Sequence, residues 1–600
     1  MLINRQDLNF LLYNVFDAME LTQHSQYKEH DQATFDSVID TAHHIAQTYF
    51  APHNTKADEH EPQFDGTSVS TIPEVKEAWK HYAKAGLLNA RQPFEFGGMQ
   101  LPSLINSACC GLFTSANPST AGYTFLTTAA ANVISAFGNK DQKSRFLPNM
   151  YNGRFAGTMA LTEPDVGSSL GDLSTKAIPQ NDGSYHLKGQ KMFISGGDQD
   201  ITENIVHLVL ARVEGAVAGV KGISLFIAPK YLVDANGELG ERNDVKLAGL
   251  LHKMGYRGTT STVLNFGEDD HCTAYLIGEE GKGLSYMFKM MNEARIGVGL
   301  GAAMIGYRGY LESLEYAKNR PQGRKPSQKE KDSKPINIIE HADVKRMLLA
   351  QKSYVEGSLA LCLFASRLMD ELEAGNSLED ESRQNSGILL DLLTPIVKSF
   401  PSYYGVKAND FAIQVLAGSG YIREYPVEQC YRDNRLNPIH EGTHGIQSLD
   451  LLGRKLWMNN GKGLQLLMAR VQSTLKNCQT HENLSPLLKT YQQNITIFSQ
   501  TTMTLGKNLQ SGKVDETLAN SALYLDMMGK IVVAWLWLEM ADKAIRTFSS
   551  SESEDDQRFL AGKLQACKYF IEWELGEISS QSKLLCELNS TCADMQAHWF

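Results

Sequence analysis

The sequence is expected to fold as an α+β multidomain protein. It would have a helical N-terminal domain, a middle β-barrel or sandwich, a helical-bundle C-terminal domain and a helical extension. Three observations carry this. "FDSVIDTAHHIAQTYF" and "VKEAWKHYAKAGLL" place apolar residues at three- and four-residue spacing. The stretch from about 155 to 278 is instead built of short β-branched and aromatic runs separated by turn signals. From about 280 the helical period returns and persists almost to the end.

Taken in order, residues 1–35 read as an N-terminal extension and 36–154 as the helical domain, in which "PFEFGGMQLP" interrupts before a long apolar helix region through Phe137. Residues 155–278 form the β domain, with "YHLKGQKMFIS", "IVHLVLARV", "GISLFIAPKYLV" and "TTSTVLNFG" as strands. Asn181-Asp182-Gly183 is its strongest hairpin signal. Residues 279–460 form the helical bundle, opened by one long helix through "NEARIGVGLGAAMIGYRGYLESLEYAKNR". Its "GVGLGA" matches a dinucleotide fingerprint by letter, but no strand precedes it and no βαβ unit surrounds it, so that reading is rejected. The charged stretches 324–334 and 373–387 read as exposed loops. Residues 461–600 form the helical extension, with a loop at "SSSESEDDQ".

Composition narrows the function. The 600 residues carry 57 Lys and Arg against 68 Asp and Glu, a net charge of −11 that argues against nucleic-acid binding through bulk electrostatics. The extension holds 13 basic against 15 acidic residues, so no basic face for DNA or a membrane is expected there. Nine cysteines, an odd number without a C-x-x-C pair, read as free thiols in a reducing compartment. The N-terminus is charged at Arg5, Asp7 and Asp17 and does not read as a signal peptide. The longest apolar run, "IVVAWLWL", is too short to span a bilayer. A cytoplasmic location is expected.

The string "HEGTH", residues 440–444, has the letters of a zinc-protease motif. Two histidines four apart share a metal only on one helical face, yet Pro438, Gly442 and Gly445 break a helix here. The apolar period begins only at Ile446, so Glu441 is expected on the turn that leads into a helix, with no metal bound.

Three motifs explain the string differently. They are "MALTEPDVGSS" (159–169), "LKGQKMFISGG" (187–197) and "QVLAGSGYIREYPVEQCYRDNRLNPIHEGTHGIQ" (414–447). Together, in this order, they resemble the flavin-dependent acyl-CoA dehydrogenase family over roughly residues 36–460. The resemblance implies FAD as cofactor and α,β-dehydrogenation of an acyl-CoA thioester, with Glu441 as the base that takes the α-proton. A weakly acidic C–H calls for a carboxylate made more basic by burial. The resemblance further implies that Leu161 and Thr162 bond the flavin edge, that Phe193 stacks on the ring and that Ser195 bonds near N5. Arg320, Gln322, Gln414 and Gly418 would reach a neighbouring subunit's cofactor, and Thr443 would touch the cofactor too. Ser168 and Arg295 match positions that contact CoA, although Arg295 also suits a helix-capping ion pair. Gln322 and Gly445 depart from residues frequent in the family. One branch places its base on the long helix just before the arginine matching Arg295. Here that position is Ala294, and Glu293 is turned by about 100°.

The family resemblance also implies an electron-transferring flavoprotein as acceptor and a homodimer or dimer of dimers. A medium- or long-chain fatty acyl-CoA is the expected substrate. Residues 1–35 and the extension resemble the branch containing 3-methylthiopropanoyl-CoA dehydrogenases, which keeps that substrate as an alternative, alongside an acyl-CoA oxidase using oxygen.

Overall fold

The computed structural model describes residues 1–327, 333–374, 379–549 and 553–600, without the side chains of 288–291. Parts of the stretches 324–334, 373–387 and 549–557 lie outside the described residues. Within 373–387 the structure corrects one expectation: the Asp380–Leu416 helix already begins at Asp380, inside the segment read as a loop. Three acidic residues, Glu379, Asp380 and Glu381, meet its N-terminus, where negative charge is favoured.

The N-terminal helices carry their apolar faces as the spacing requires. The long apolar region is, however, two helices, Ser103–Ala116 and Pro118–Phe137. Asn117 accepts from the Thr120 amide at 3.0 Å and caps the second helix, while Pro118 has no N–H to leave unsatisfied at its first position.

The middle domain is a closed barrel. Strand Tyr185–Ser195 pairs with Cys272–Ile277, which pairs with Ile223–Pro229, then Asn204–Val213. Lys176–Pro179 closes the ring by pairing with both Asn204–Val213 and Tyr185–Ser195. The interior is small, and alanines 160, 177, 211, 228 and 274 interleave with Phe226, Phe266 and Leu187 to fill it. Strand Phe155–Ala160 lies beside Asn204–Val213 in parallel. The Val245–Leu250 and Ser261–Phe266 hairpin continues from the far part of strand 185–195.

Helix Gly283–Asn319 opens the C-terminal bundle and contains the rejected "GVGLGA" string. Those glycines allow close packing: a Cβ on Gly299 would lie 2.0 Å from the Val397 carbonyl oxygen. That carbonyl has no i+4 N–H partner, because residue 401 is proline, one of two prolines inside helix 380–416. The missing donor and the missing side chain let the two helices approach.

The extension belongs to the same packing unit. A single apolar core runs from Leu2 and Leu11 through Leu359 and Val397 to Trp537 and Ile578. Helix Ser521–Phe548 is long and apolar enough to cross a membrane by length and composition, yet 83% of its apolar window is buried against protein. Trp535 and Trp537 diverge by about 200°. Trp535 bonds Thr474 of the extension at 2.6 Å and meets the Phe364 ring edge-on, while Trp537 donates to the Ser353 carbonyl at 3.1 Å. Both therefore reach helix Ala342–Glu373, and Trp535 also bonds within the extension.

A buried ion cluster fastens the ends of the chain. Lys563 of the extension pairs with Asp7 and, at 2.8 Å, with Glu356; none of the three is more than 1% exposed. Tyr307 donates to Asp7 at 2.8 Å, and Lys352 pairs with Glu356. Removing one partner of such a cluster leaves uncompensated buried charge. Lys563→Met is expected to lower the free energy of unfolding by about 3–5 kcal/mol, read by denaturant titration. A loss below about 1 kcal/mol would show that the cluster does not fasten the termini.

Candidate active site

A cavity of about 1640 Å³ lies where the barrel, the N-terminal helices and the bundle meet. Single-ligand pockets usually occupy about 300–1,000 Å³, so this one has room for two bound groups side by side.

The barrel supplies one wall through Leu161, Thr162, Phe193 and Ser195, all cavity-lining. Phe193 adopts φ +60° on a register shift of strand 185–195 and is 63% exposed. A large aromatic at positive φ, presented to open space, is uncommon and points to a ligand-facing role. A buried ion pair fixes this wall. Lys191 bonds Glu163 at 2.9 Å and the Leu161 carbonyl at 3.0 Å, and the Met192 amide donates to the Thr162 carbonyl at 2.9 Å. The Glu163 carboxylate also accepts from the amides and hydroxyls of Ser174 and Thr175. Burial opposes ionisation, but Lys191 and those donors hold the Glu163 carboxyl down at about 2. Burial brings the Lys191 ammonium down to about 8 against the attraction of Glu163. The two residues stand inside the first and second of the three motifs noted above, but nothing in the sequence signalled their pairing.

Glu441 lines the same cavity, on the turn expected for it. The helix begins at His444, with Thr443 as its N-cap accepting from the Ile446 amide at 3.3 Å. Glu441 has φ +53° and Gly442 φ +90°, two consecutive left-handed residues that sharply redirect the chain. Gln447 donates to the Glu441 carbonyl at 2.9 Å, and Lys398 donates to the Gly442 carbonyl at 2.7 Å. Burial raises the Glu441 carboxyl above its ordinary value, opposed by the nearby charges of Arg295 and Lys398. The zinc geometry is not met. His440 precedes the helix and bonds Asn437 at 3.0 Å, whereas His444 is the first helical residue.

Of the other expected site residues, Ser168, Arg295 and Thr443 also line the cavity. Arg295 is 5% exposed and pairs with Asp450 at 3.3 Å, so its ion-pair role is real while it still borders the cavity. Glu293 lines the wall too, but its carboxylate is engaged by Asn132 at 3.1 Å and Arg91 at 3.5 Å. Arg320, Gln322, Gln414 and Gly418 are elsewhere. They lie exposed where helices 283–319 and 380–416 end, an arrangement joined by the Tyr316–Ser419 bond of 3.2 Å. None of the four lines this cavity.

The Glu163–Lys191 pair makes a stability prediction. Lys191→Met strands the carboxylate and is expected to cost about 3–5 kcal/mol at neutral pH in denaturant titration. Glu163 has a depressed folded value, so its contribution is complete above the ordinary 4.5 and fades as pH falls toward about 2. The gap between wild type and variant should narrow over that window; a gap independent of pH would exclude the ion pair as its source.

Comparison with known proteins covers nearly the whole chain. Family models match as acyl-CoA dehydrogenase N-terminal domain at 33–154, middle domain at 158–268 and C-terminal domain at 281–456. A model described as acetyl-CoA dehydrogenase C-terminal like matches 467–596. The chain is 33% identical over 533 residues to 3-methylmercaptopropionyl-CoA dehydrogenase of Ruegeria pomeroyi, covering 88% of each. It is 30% identical over 603 residues to a broad-specificity linear acyl-CoA dehydrogenase of Mycobacterium tuberculosis, covering 99% of this chain and 98% of that one. Its fold is similar to an acyl-CoA dehydrogenase of Bacillus anthracis solved with FAD. The TM-score is 0.74 at 22% identity, over 94% of this chain and 90% of the other.

Proposed function

Because this chain belongs to the acyl-CoA dehydrogenase family, we propose that Glu441 is the base with which it converts acyl-CoA thioesters to trans-2-enoyl-CoA. The observation that carries this is a half-buried, cavity-lining carboxylate of raised basicity, held on a strained turn in the same cavity as Phe193. FAD is the cofactor, and the residues fit it: an open aromatic face, a rigidly pinned Leu161–Thr162 turn and a cavity larger than one ligand needs. Phe193, Leu161, Thr162 and Ser195 are the residues that would hold it, and it would supply a hydride acceptor for the β-carbon.

The chain's own residues do the rest. Glu441 takes the α-proton onto its carboxylate, and its desolvation raises its affinity for that proton. Arg295, tied to Asp450, stands close enough to favour the ionised form before the proton moves. Ser168 and Lys221, on neighbouring loops at the cavity rim, and Arg295 at its wall are the groups we assign to the CoA moiety.

The reading extends to partners. Arg320, Gln322, Gln414 and Gly418 serve a neighbouring subunit's cofactor, because they are exposed together and away from this chain's own cavity. A homodimer or dimer of dimers follows, and dilution to monomers should release flavin. The electrons pass to an electron-transferring flavoprotein. A cytoplasmic enzyme without nucleic-acid or membrane attachment suits the net charge of −11 and the buried apolar helix. The substrate we assign is a medium- or long-chain linear acyl-CoA, supported by the Mycobacterium relative's breadth. The 33% identity to the Ruegeria enzyme favours 3-methylthiopropanoyl-CoA as the second reading. An acyl-CoA panel with an artificial electron acceptor separates these, and the rate of reoxidation by oxygen tests the oxidase alternative.

The purified enzyme should be yellow and should bleach when acyl-CoA is added without oxygen. Glu441→Gln is expected to bind FAD and acyl-CoA while reducing flavin at least about 10²–10⁴-fold more slowly in stopped-flow measurements. Reduction at the wild-type rate would place the base elsewhere.

A further inference from the structure

Lys398 is a charged side chain in the middle of an apolar run, "DLLTPIVKSFP", and it is completely buried. It does not line the cavity, so it touches neither substrate nor cofactor. Its ammonium bonds the Gly442 carbonyl at 2.7 Å, a neutral acceptor that leaves its charge unneutralised by direct contact. A buried ammonium costs several kcal/mol unless something uses its charge. The charged and titratable groups around it are few. Glu441 faces it from the turn, and Arg295 from helix 283–319 is already tied to Asp450. Partial burial, and then Lys398 itself, lower the proton affinity of His440, and the same two effects lower that of His444 against Asp526. Asp526, which influences His444 from the extension, is taken by Lys530, Gln581 and Tyr404. Glu441 is the one carboxylate left for Lys398 to act on among these groups.

The backbone of helix 380–416 explains how the lysine stays in place. Ser402 donates to the Lys398 carbonyl at 2.6 Å, and Pro395 and Pro401 bracket this turn of helix. Gly299 packs onto the Val397 carbonyl beside it. The ammonium is thus delivered from a fixed site beneath the turn.

We propose that Lys398 is a positioning residue for the reaction assigned above: it anchors the Glu441–Gly442 turn through the Gly442 carbonyl and supplies a compensating charge beside the half-buried base. The inference rests on Glu441 being that base. It separates two contributions, a hydrogen bond that holds geometry and a charge that favours the carboxylate. Burial pushes the Glu441 carboxyl up and Lys398 pulls it down, so loss of the charge shifts it further up. Because reduction needs ionised Glu441, the rate then reaches its plateau only at higher pH.

Two variants test this in the FAD-loaded enzyme, followed by anaerobic flavin reduction across pH. Lys398→Gln keeps a donor for Gly442 but no charge. Its rate profile should move to higher pH by about one unit, the low end for losing a neighbouring opposite charge, with a plateau reduced less than about tenfold. Lys398→Met removes donor and charge, so its profile should shift likewise while its plateau falls about 10²-fold through misplacement of the base. Profiles that keep the wild-type midpoint in both variants, with only thermal stability lost, would overturn the proposal and leave Lys398 a structural lysine. A Glu441→Gln enzyme that still reduces flavin normally would instead remove the premise, a different result from unchanged Lys398 profiles.

Discussion

A carboxylate that must lie under cover, on a left-handed turn, is the constraint around which this molecule is arranged. Glu441 bears backbone strain at φ +53°, on the order of one to a few kcal/mol, and partial burial that opposes its ionisation. Neither is tolerable unless the surroundings fix the turn from several sides. Gly442 accepts the second left-handed step, Gln447 and Lys398 hold the two carbonyls, and Thr443 starts the helix that follows. That helix is in turn held by the extension, where Ser521 bonds Ser448 at 2.9 Å. The extension therefore supports the site from behind while giving it no lining residue.

The opposite wall follows the same logic with different parts. Phe193 is offered to the cavity because the strand behind it cannot move: Lys191 is tied to Glu163, and Glu163 to two residues of the next segment. The closed barrel makes this possible, since its short perimeter leaves strand 185–195 paired on both sides and bent at the register shift. The two walls belong to different domains, and helix Pro118–Phe137 packs on both, against strand Phe155–Ala160 and helix Gly283–Asn319. Rigidity on both sides is what proton and hydride removal from adjacent carbons demands, because small misplacements are costly.

Much of this was legible in the residues. Helical period, strand texture and the Asn181-Asp182-Gly183 turn delivered the element order, and Pro438 with Gly442 placed Glu441 before a helix. The break at Asn117–Pro118 was readable too, since an N-cap followed by proline is a helix start, but the apolar run masked it. The closure of the barrel was not readable, because strand 176–179 is only four residues long and pairs on both sides. The partners of Glu163 and Lys191 were hidden for a related reason: they are 28 residues apart and meet only once the strand has folded back. Lys398 left one trace, a lone cation in the apolar run "LLTPIVKSFP". Which group it answers depends on a turn 44 residues further on.

The central claim is that folding makes Glu441 a stronger base than an ordinary carboxylate. The most direct measurement is an infrared difference titration of the FAD-loaded enzyme, wild type minus Glu441→Gln, which isolates the carboxyl band of this one residue. The account predicts a protonated band that persists above the ordinary value of 4.5 and gives way to carboxylate as the pH is raised. A residue already ionised below that value would contradict it, and the basicity would then have to come from somewhere other than burial.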